Sequence, residues 1–279
     1  MIGVLMALAS ALFWATNDLI SKKLLQKGWD EYLVLWVRFP VATLILTPLG
    51  ILYWDLKENV FLYTFLWLPI EVLGGIFFMK GLKHAPLSVA MTFYSFMPFF
   101  TAVSSFLVLG ETITFVGFVG VCLLVAGSLI LTGFSVGDFF RKNIGSLYML
   151  ISTALFGFNV TLGKMVVLES NPFFFAWYYS LCMSLATLFF VRRNILSART
   201  VWRNPVIFLL GFLFASGDLL YLYAYLYIPA SYVAALERTS LLIAVLYGRI
   251  FFGEPIERVL PSSLLILSGS LLLALSVGG

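Results

Sequence analysis

Histidine is almost absent from this chain. One residue, His84, stands among 279, beside Pro86. A histidine-based metal centre is thereby excluded, since zinc and its relatives need several clustered nitrogen or sulfur ligands. Only Cys122 and Cys182 supply sulfur as cysteine, each inside an apolar run. That argues against a disulfide framework and reads as two small buried side chains. Charge is scarce as well. Asp, Glu, Lys and Arg make up 11% of residues against 62% hydrophobic ones, and the mean hydropathy is +1.04. A soluble domain is about a quarter charged, so a water-soluble monomer is excluded. A soluble nucleic-acid binder is excluded with it, despite a net charge of +4. No G-x-S-x-G or Walker sequence is present, which leaves a serine-hydrolase elbow or an ATP-driven pump without support. No cofactor is expected.

What the chain has is long apolar runs. A bilayer core about 30 Å thick takes roughly 20 apolar residues as a helix. Ten stretches qualify, near 2–24, 32–53, 60–82, 87–109, 114–132, 145–166, 173–192, 205–227, 231–252 and 259–277. The runs are continuous rather than alternating, which predicts helices and not a β-barrel. Ala7-Leu8-Ala9 resembles a weak leader-cleavage site. No Lys or Arg precedes it and the apolar run continues past it, so the segment reads as the first span.

The chain repeats itself at an offset of 143 residues. Ala11-Leu12-Phe13 matches Ala154-Leu155-Phe156, Leu19 matches Leu162, and Gly74 matches Gly217. Pro86 and Ser88 match Pro229 and Ser231; Gly110-Glu111 matches Gly253-Glu254; Ile113 and Val116 match Ile256 and Val259. Each unit, 1–135 and 143–279, holds five helices. Five is odd, so the second unit enters from the opposite side. The fold class is therefore all-α and polytopic, ten transmembrane helices as two inverted five-helix repeats, an architecture that places a binding site near the midplane. Pro86 and Pro229 suit the first turn of helices 4 and 9. Gly110 and Gly253 suit left-handed caps at their ends. Glu111 and Glu254 read as structural residues at the starts of helices 5 and 10.

The 17 Lys and Arg residues are unevenly spread. Fourteen, including Lys22 and Arg38, fall on one side of such a topology; Lys57 and Lys164 fall on the other, and Arg238 lies within helix 9. Positive-inside reasoning puts the fourteen in the cytoplasm and both termini outside.

These features together resemble the drug/metabolite transporter superfamily, specifically the EamA-type ten-helix carriers. The resemblance rests on the duplicated five-helix unit, on Ala11-Leu12-Phe13-Trp14-Ala15-Thr16-Asn17, and on the stretches from Pro86 to Glu111 and from Pro229 to Glu254. It implies a secondary carrier of small metabolites in the cell membrane. Many such carriers export amino acids or toxic compounds, and others move nucleotide sugars or sugar phosphates. It also implies cytoplasmic termini, opposite to the charge count.

Charged groups at membrane depth are functional candidates by default. Glu71 lies near the centre of helix 3 and Asp218 near the centre of helix 8. At the offset, Asp218 maps to position 75, one turn from Glu71 on the same face. Two readings stand: carriers of a coupling proton, or packing groups. Glu237 and Arg238 lie in the first half of helix 9, where consecutive residues point about 100° apart and do not simply pair. Arg238 is read either as a clamp for a substrate carboxylate or phosphate or as an ion-pair partner of Asp218 or Glu71. Trp14, Thr16, Asn17, Asp18 and Ser21 make a polar stripe on helix 1, and Asn159 with Thr161 sits in the equivalent part of helix 6; both fit a central cavity or hydrogen bonds between helices. Tyr221 shares a face with Asp218 and is expected in the pocket. Tyr227, and Trp177, Tyr178 and Tyr179, are expected in the interfacial aromatic belt. The expected partners are a small-molecule substrate, the bilayer and a proton. Transport of a metabolite such as an amino acid, outward, is the leading expectation. Export of drug-like compounds and a non-transporting membrane scaffold are the alternatives.

Overall fold

The computed structural model describes residues 2–94, 96–109, 114–132, 143–191, 202–224, 227, 236–257 and 259–277. Among them every regular element is a helix, and no strand is present. The helices are α1 (Ile2–Gln26), α2 (Glu31–Trp36), α3 (Arg38–Leu52), α4 (Glu58–His84), α5 (Leu87–Tyr94), α6 (Met97–Leu109) and α7 (Phe115–Thr132). The second half supplies α8 (Ile144–Glu169), α9 (Pro172–Leu188), α10 (Val206–Ala224), α11 (Ser240–Phe252) and α12 (Val259–Val277). α2 with α3 forms the second span and α5 with α6 the fourth, so the described helices account for the ten expected crossings. At about 1.5 Å per residue, the 25 residues of α1 and the 27 of α4 exceed the hydrocarbon thickness. Large apolar side chains face outward throughout. Phe115, Phe189 and Leu44 are 74–88% exposed, which suits lipid and not water. Cys122 is also on the outer surface, and Cys182 is only half-buried. The expectation that both lie in the core fails because lipid rewards an outward apolar side chain as well as a packed one.

The ends of the helices have local causes. Asp30 accepts from the N–H groups of Tyr32 and Leu33 at 3.0 and 3.2 Å, opening α2. Asn171 does the same for Phe174 at 2.9 Å, with Pro172 at the first helical position. Gly253 closes α11 at φ +65°, the left-handed cap expected of it. The second span divides at Val37, between α2 and α3. Pro40 has no N–H to return to the Trp36 carbonyl.

The packing repeats across the two halves. α4 packs most extensively on α8, as α10 does on α1; the offset exchanges these two pairs. α7 packs on α12 and α3 on α9, each pair mapping onto itself. The glycines matched in the sequence serve one purpose. A Cβ at Gly74 would sit 2.6 Å from the ring of Phe156, and one at Gly217 would sit 2.3 Å from that of Trp14 and 3.3 Å from Phe13. Each lets an aromatic side chain from the opposite half press against backbone.

Glu254 corrects one expectation. It does not cap its own helix, which begins only at Val259. Its Oε1 accepts from the Leu87 N–H at 2.7 Å, and its Oε2 from the Ser88 N–H at 2.9 Å and the Ser88 hydroxyl at 2.5 Å. It thus caps α5 of the other half. Pro86 places those orphan donors there, and Gly248 leaves room for the carboxylate. Lys22, expected in the cytoplasm, is 5% exposed. Its Nζ donates to the Leu82 and Ala85 carbonyls, both at 2.5 Å, at the C-terminus of α4. Pro86 and Gly253 stand at helix ends as assigned, whereas Glu254 is structural but serves a helix of the other half. Gly110, Glu111 and Pro229 lie outside the described residues.

Candidate functional site

The fourth and ninth spans are both interrupted in mid-course, at equivalent positions. The Phe96 N–H bonds to the Phe93 carbonyl at 3.1 Å, and the Phe99 and Phe100 N–H groups bond to that of Phe96 at 3.0 and 3.4 Å. Adding 143 to each number gives the second break. The Thr239 N–H bonds to Leu236 at 3.0 Å, and Leu242 and Ile243 bond to Thr239 at 3.0 and 3.4 Å. In the first break Pro98 withholds the N–H that would have reached Tyr94. The second has Leu241 at that place, so no proline forces it. Interrupted helices facing each other are where membrane carriers assemble binding sites.

Between the halves lies a cavity of about 110 Å³, well above the roughly 10–15 Å³ that admits one water. α1 contributes Trp14, Asn17 and Asp18; α3 contributes Arg38 and Phe39; α4 contributes Glu71, Phe78 and Met79. Across from them stand Tyr179 and Met183 of α9, Phe214 and Asp218 of α10, and Glu237. Met91 and Tyr94 of α5 and Phe156 of α8 complete the apolar wall.

Glu71 and Asp218 meet in this cavity from opposite halves, as their symmetric positions predict. Glu71 is held at both oxygens: Tyr179 donates its hydroxyl at 2.6 Å and Asn159 donates its amide. Asp218 is 8% exposed, and its Oδ2 has no hydrogen-bond partner among the described residues. Asp18 is 7% exposed and within electrostatic reach of Arg38 and Arg238. Asn17 ties α1 to α10 by donating to the Leu210 carbonyl at 2.8 Å, so half of the polar stripe on α1 serves packing. Thr16 likewise meets the Tyr247 hydroxyl at 3.2 Å.

The remaining sequence candidates take other places. Asn159 acts on Glu71 rather than lining the cavity, and Tyr221 stands behind Trp14, ring centroids 5.3 Å apart. Glu237 and Arg238 form a buried ion pair, contrary to the helical argument against it. The reason is local: Arg238 and Thr239 lie in the turn that breaks the ninth span, so helical angles do not apply. Arg238 also donates to the Tyr94 carbonyl at 3.4 Å and stands 4.9 Å from the Tyr94 ring. It pairs with neither Asp218 nor Glu71.

Sequence reasoning missed Arg38 and Tyr179. Arg38, placed in the cytoplasm by the charge count, is 6% exposed in the cavity wall. Its Nη2 donates to Ser21 Oγ at 3.2 Å. The signal was Pro40, which starts a new helix inside an apolar run. Tyr179 is in the cavity and not in the belt; Tyr178 is buried and meets Thr64 Oγ1 at 3.0 Å. Trp177 donates to Thr47 Oγ1 at 3.3 Å. Tyr227 is 49% exposed, as a belt residue should be.

Ten crossings in two inverted units, around a central cavity where carboxyl groups stand among aromatic walls, define a multi-pass membrane transporter of the drug/metabolite type. The EamA-like transporter family model matches residues 1–133 and 143–276, and the chain belongs to that family. A stretch of 62 residues is 36% identical to "Probable purine permease 5" of Arabidopsis thaliana. That stretch is 22% of this chain and spans 17% of the permease's length. A solved crystal structure superimposes with a TM-score of 0.63 at 16% identity, over 98% of this chain and 98% of that one. It shows the fold alone.

Proposed function

We propose that this transporter carries a small organic metabolite, such as an amino acid, out across the plasma membrane by alternating access, with protons as the coupling ion. The moving bodies are the units 1–135 and 143–279. The observation that carries the reading is the pair Glu71 and Asp218, one from each unit, facing one cavity at membrane depth. Intramembrane carboxyls in such cavities serve proton relays. Their unequal settings fit a division of labour. Asp218 has an unpartnered oxygen ready for a proton or an amine, while Tyr179 and Asn159 hold Glu71 in place. Trp14, Asn17, Asp18 and Glu237 are the proposed direct substrate contacts, with Tyr221 backing Trp14 and Asn159 positioning Glu71. The aromatic walls, Phe39, Phe78 and Phe214 among them, favour an apolar body on the solute.

Counterflow in proteoliposomes tests the reading. Labelled amino acid should accumulate against preloaded unlabelled solute and saturate. Absence of exchange for every amino acid would overturn the substrate class. A second reading, a planar heterocycle, is favoured by the local likeness to a purine permease, and adenine in the same assay would reveal it.

A further inference from the structure

Among the described residues, the bundle interior holds two guanidinium groups in different states. Arg238 is ion-paired: Glu237 neutralises it, and it also donates to the Tyr94 carbonyl and stands against the Tyr94 ring, its Nε alone being without a partner. Arg38 is not. It is 6% exposed, it lines the cavity, and it touches only the Ser21 hydroxyl at 3.2 Å and the Met79 sulfur at 3.6 Å. Its Nε has no partner, as in Arg238, but unlike Arg238 it has no carboxylate within ion-pair distance among the described residues. Asp18 is within electrostatic reach but makes no ion-pair contact, and a cation taken out of water without a hydrogen-bonded counter-ion is costly. Both sulfur and hydroxyl are weak compensation for it.

We infer that Arg38, and not Arg238, is the anion anchor of the cavity, taking one carboxylate of the transported solute. The inference deepens the carrier reading and rests on it. The charges around Arg38 select the ligand. With Glu237 paired to Arg238, the carboxyl groups of Asp18, Glu71 and Asp218 line the cavity beside Arg38. A doubly charged phosphate would find a single cationic anchor there, among carboxyl groups that repel it whenever they ionise. A molecule with one carboxylate and a protonated amine matches this arrangement, the carboxylate on Arg38 and the amine toward the open Asp218 oxygen. A planar guanidinium grips a carboxylate through paired N–H groups, which an amide of the same shape cannot exploit.

The test measures the wild-type protein in detergent by calorimetry with leucine, phenylalanine and methionine, with the corresponding amides, and with inorganic phosphate. The acids should bind at least about tenfold more tightly than the amides, the worth of a charge-assisted pair, and phosphate should not compete. Arg38→Gln should abolish the acid-over-amide preference, while Arg238→Gln should preserve it in whatever fraction folds. Arg38→Lys keeps the charge and loses the fork, so a folded sample should show a reduced preference even if Arg38→Gln does not fold. A preference unchanged in Arg38→Gln or Arg38→Lys, binding of phosphate in place of the acids, or no binding of any acid to the wild type would overturn the inference. Acid binding that depends on Arg38 without counterflow would overturn the carrier reading and leave the anchor standing.

Discussion

Glu254 holds Ser88 by both its backbone N–H and its hydroxyl, across the boundary between the two halves of the chain. A carboxylate of the second unit thus caps a helix of the first. On the other side of Pro86, Lys22 caps the helix that ends there. The α4–α5 turn is clamped by opposite charges, each matched to the dipole it faces.

Removing that cap is expected to cost about 0.5–2 kcal/mol, the usual worth of an N-cap. Glu254→Ala should therefore lower the thermal midpoint in detergent. Glu254→Gln, which keeps the shape and one acceptor, should lower it less. Equal midpoints for all three proteins would show that the cap contributes nothing.

The Glu237–Arg238 pair predicts non-additivity. Either Arg238→Gln or Glu237→Gln leaves one buried charge unpaired, at about 3–5 kcal/mol. The double substitution leaves none. It should be more stable than at least one of the single variants, by chemical or thermal unfolding in micelles. A double variant whose loss equals the sum of the two would mean that the residues do not interact.

Gly217 predicts a steric effect with an optical readout. A methyl group there would come 2.3 Å from the Trp14 ring. Gly217→Ala should destabilise by about 1–3 kcal/mol through overpacking and shift tryptophan emission as Trp14 moves. Gly74→Ala, facing Phe156 at 2.6 Å, should destabilise with a smaller emission change. Two variants as stable as the parent would show that these helices separate readily.

Glu71→Gln and Asp218→Asn test the coupling ion. With either carboxyl replaced by an amide, exchange of solute should persist while accumulation driven by an imposed proton gradient is lost. Tyr179→Phe should weaken coupling through Glu71, since it removes the 2.6 Å hydrogen bond. If both amide variants, alone and combined, retain the pH dependence of the parent, the proton does not travel on these groups.

Much of this was legible in the residues. Glu71 and Asp218 sit where the repeat offset and helical spacing place them, because both rules depend on chain position alone. Gly253 takes the left-handed cap that its place after an apolar run suggests. Arg38 was not legible, because a positive residue near the end of a run looks the same whether it snorkels outward or faces a cavity. The Glu237–Arg238 pair was hidden by the assumption of an unbroken helix. Pro98 marks the first interruption in the sequence. At the second, Leu241 gives no sign.

Apolar length, the 143-residue duplication and an odd number of spans per unit determined the membrane, the ten crossings and the inverted halves. Those are one-dimensional quantities: a bilayer tests length and hydropathy, and a duplicated gene keeps its register. Only the tertiary structure decided which charges are paired and which are free. Arg238 is ion-paired, while Arg38, bonded only to a hydroxyl and a thioether, and one unpartnered oxygen of Asp218 line a shared cavity among the described residues. That outcome depends on where helices from opposite ends of the chain meet, and on a break in the ninth span held by its contacts with the first half.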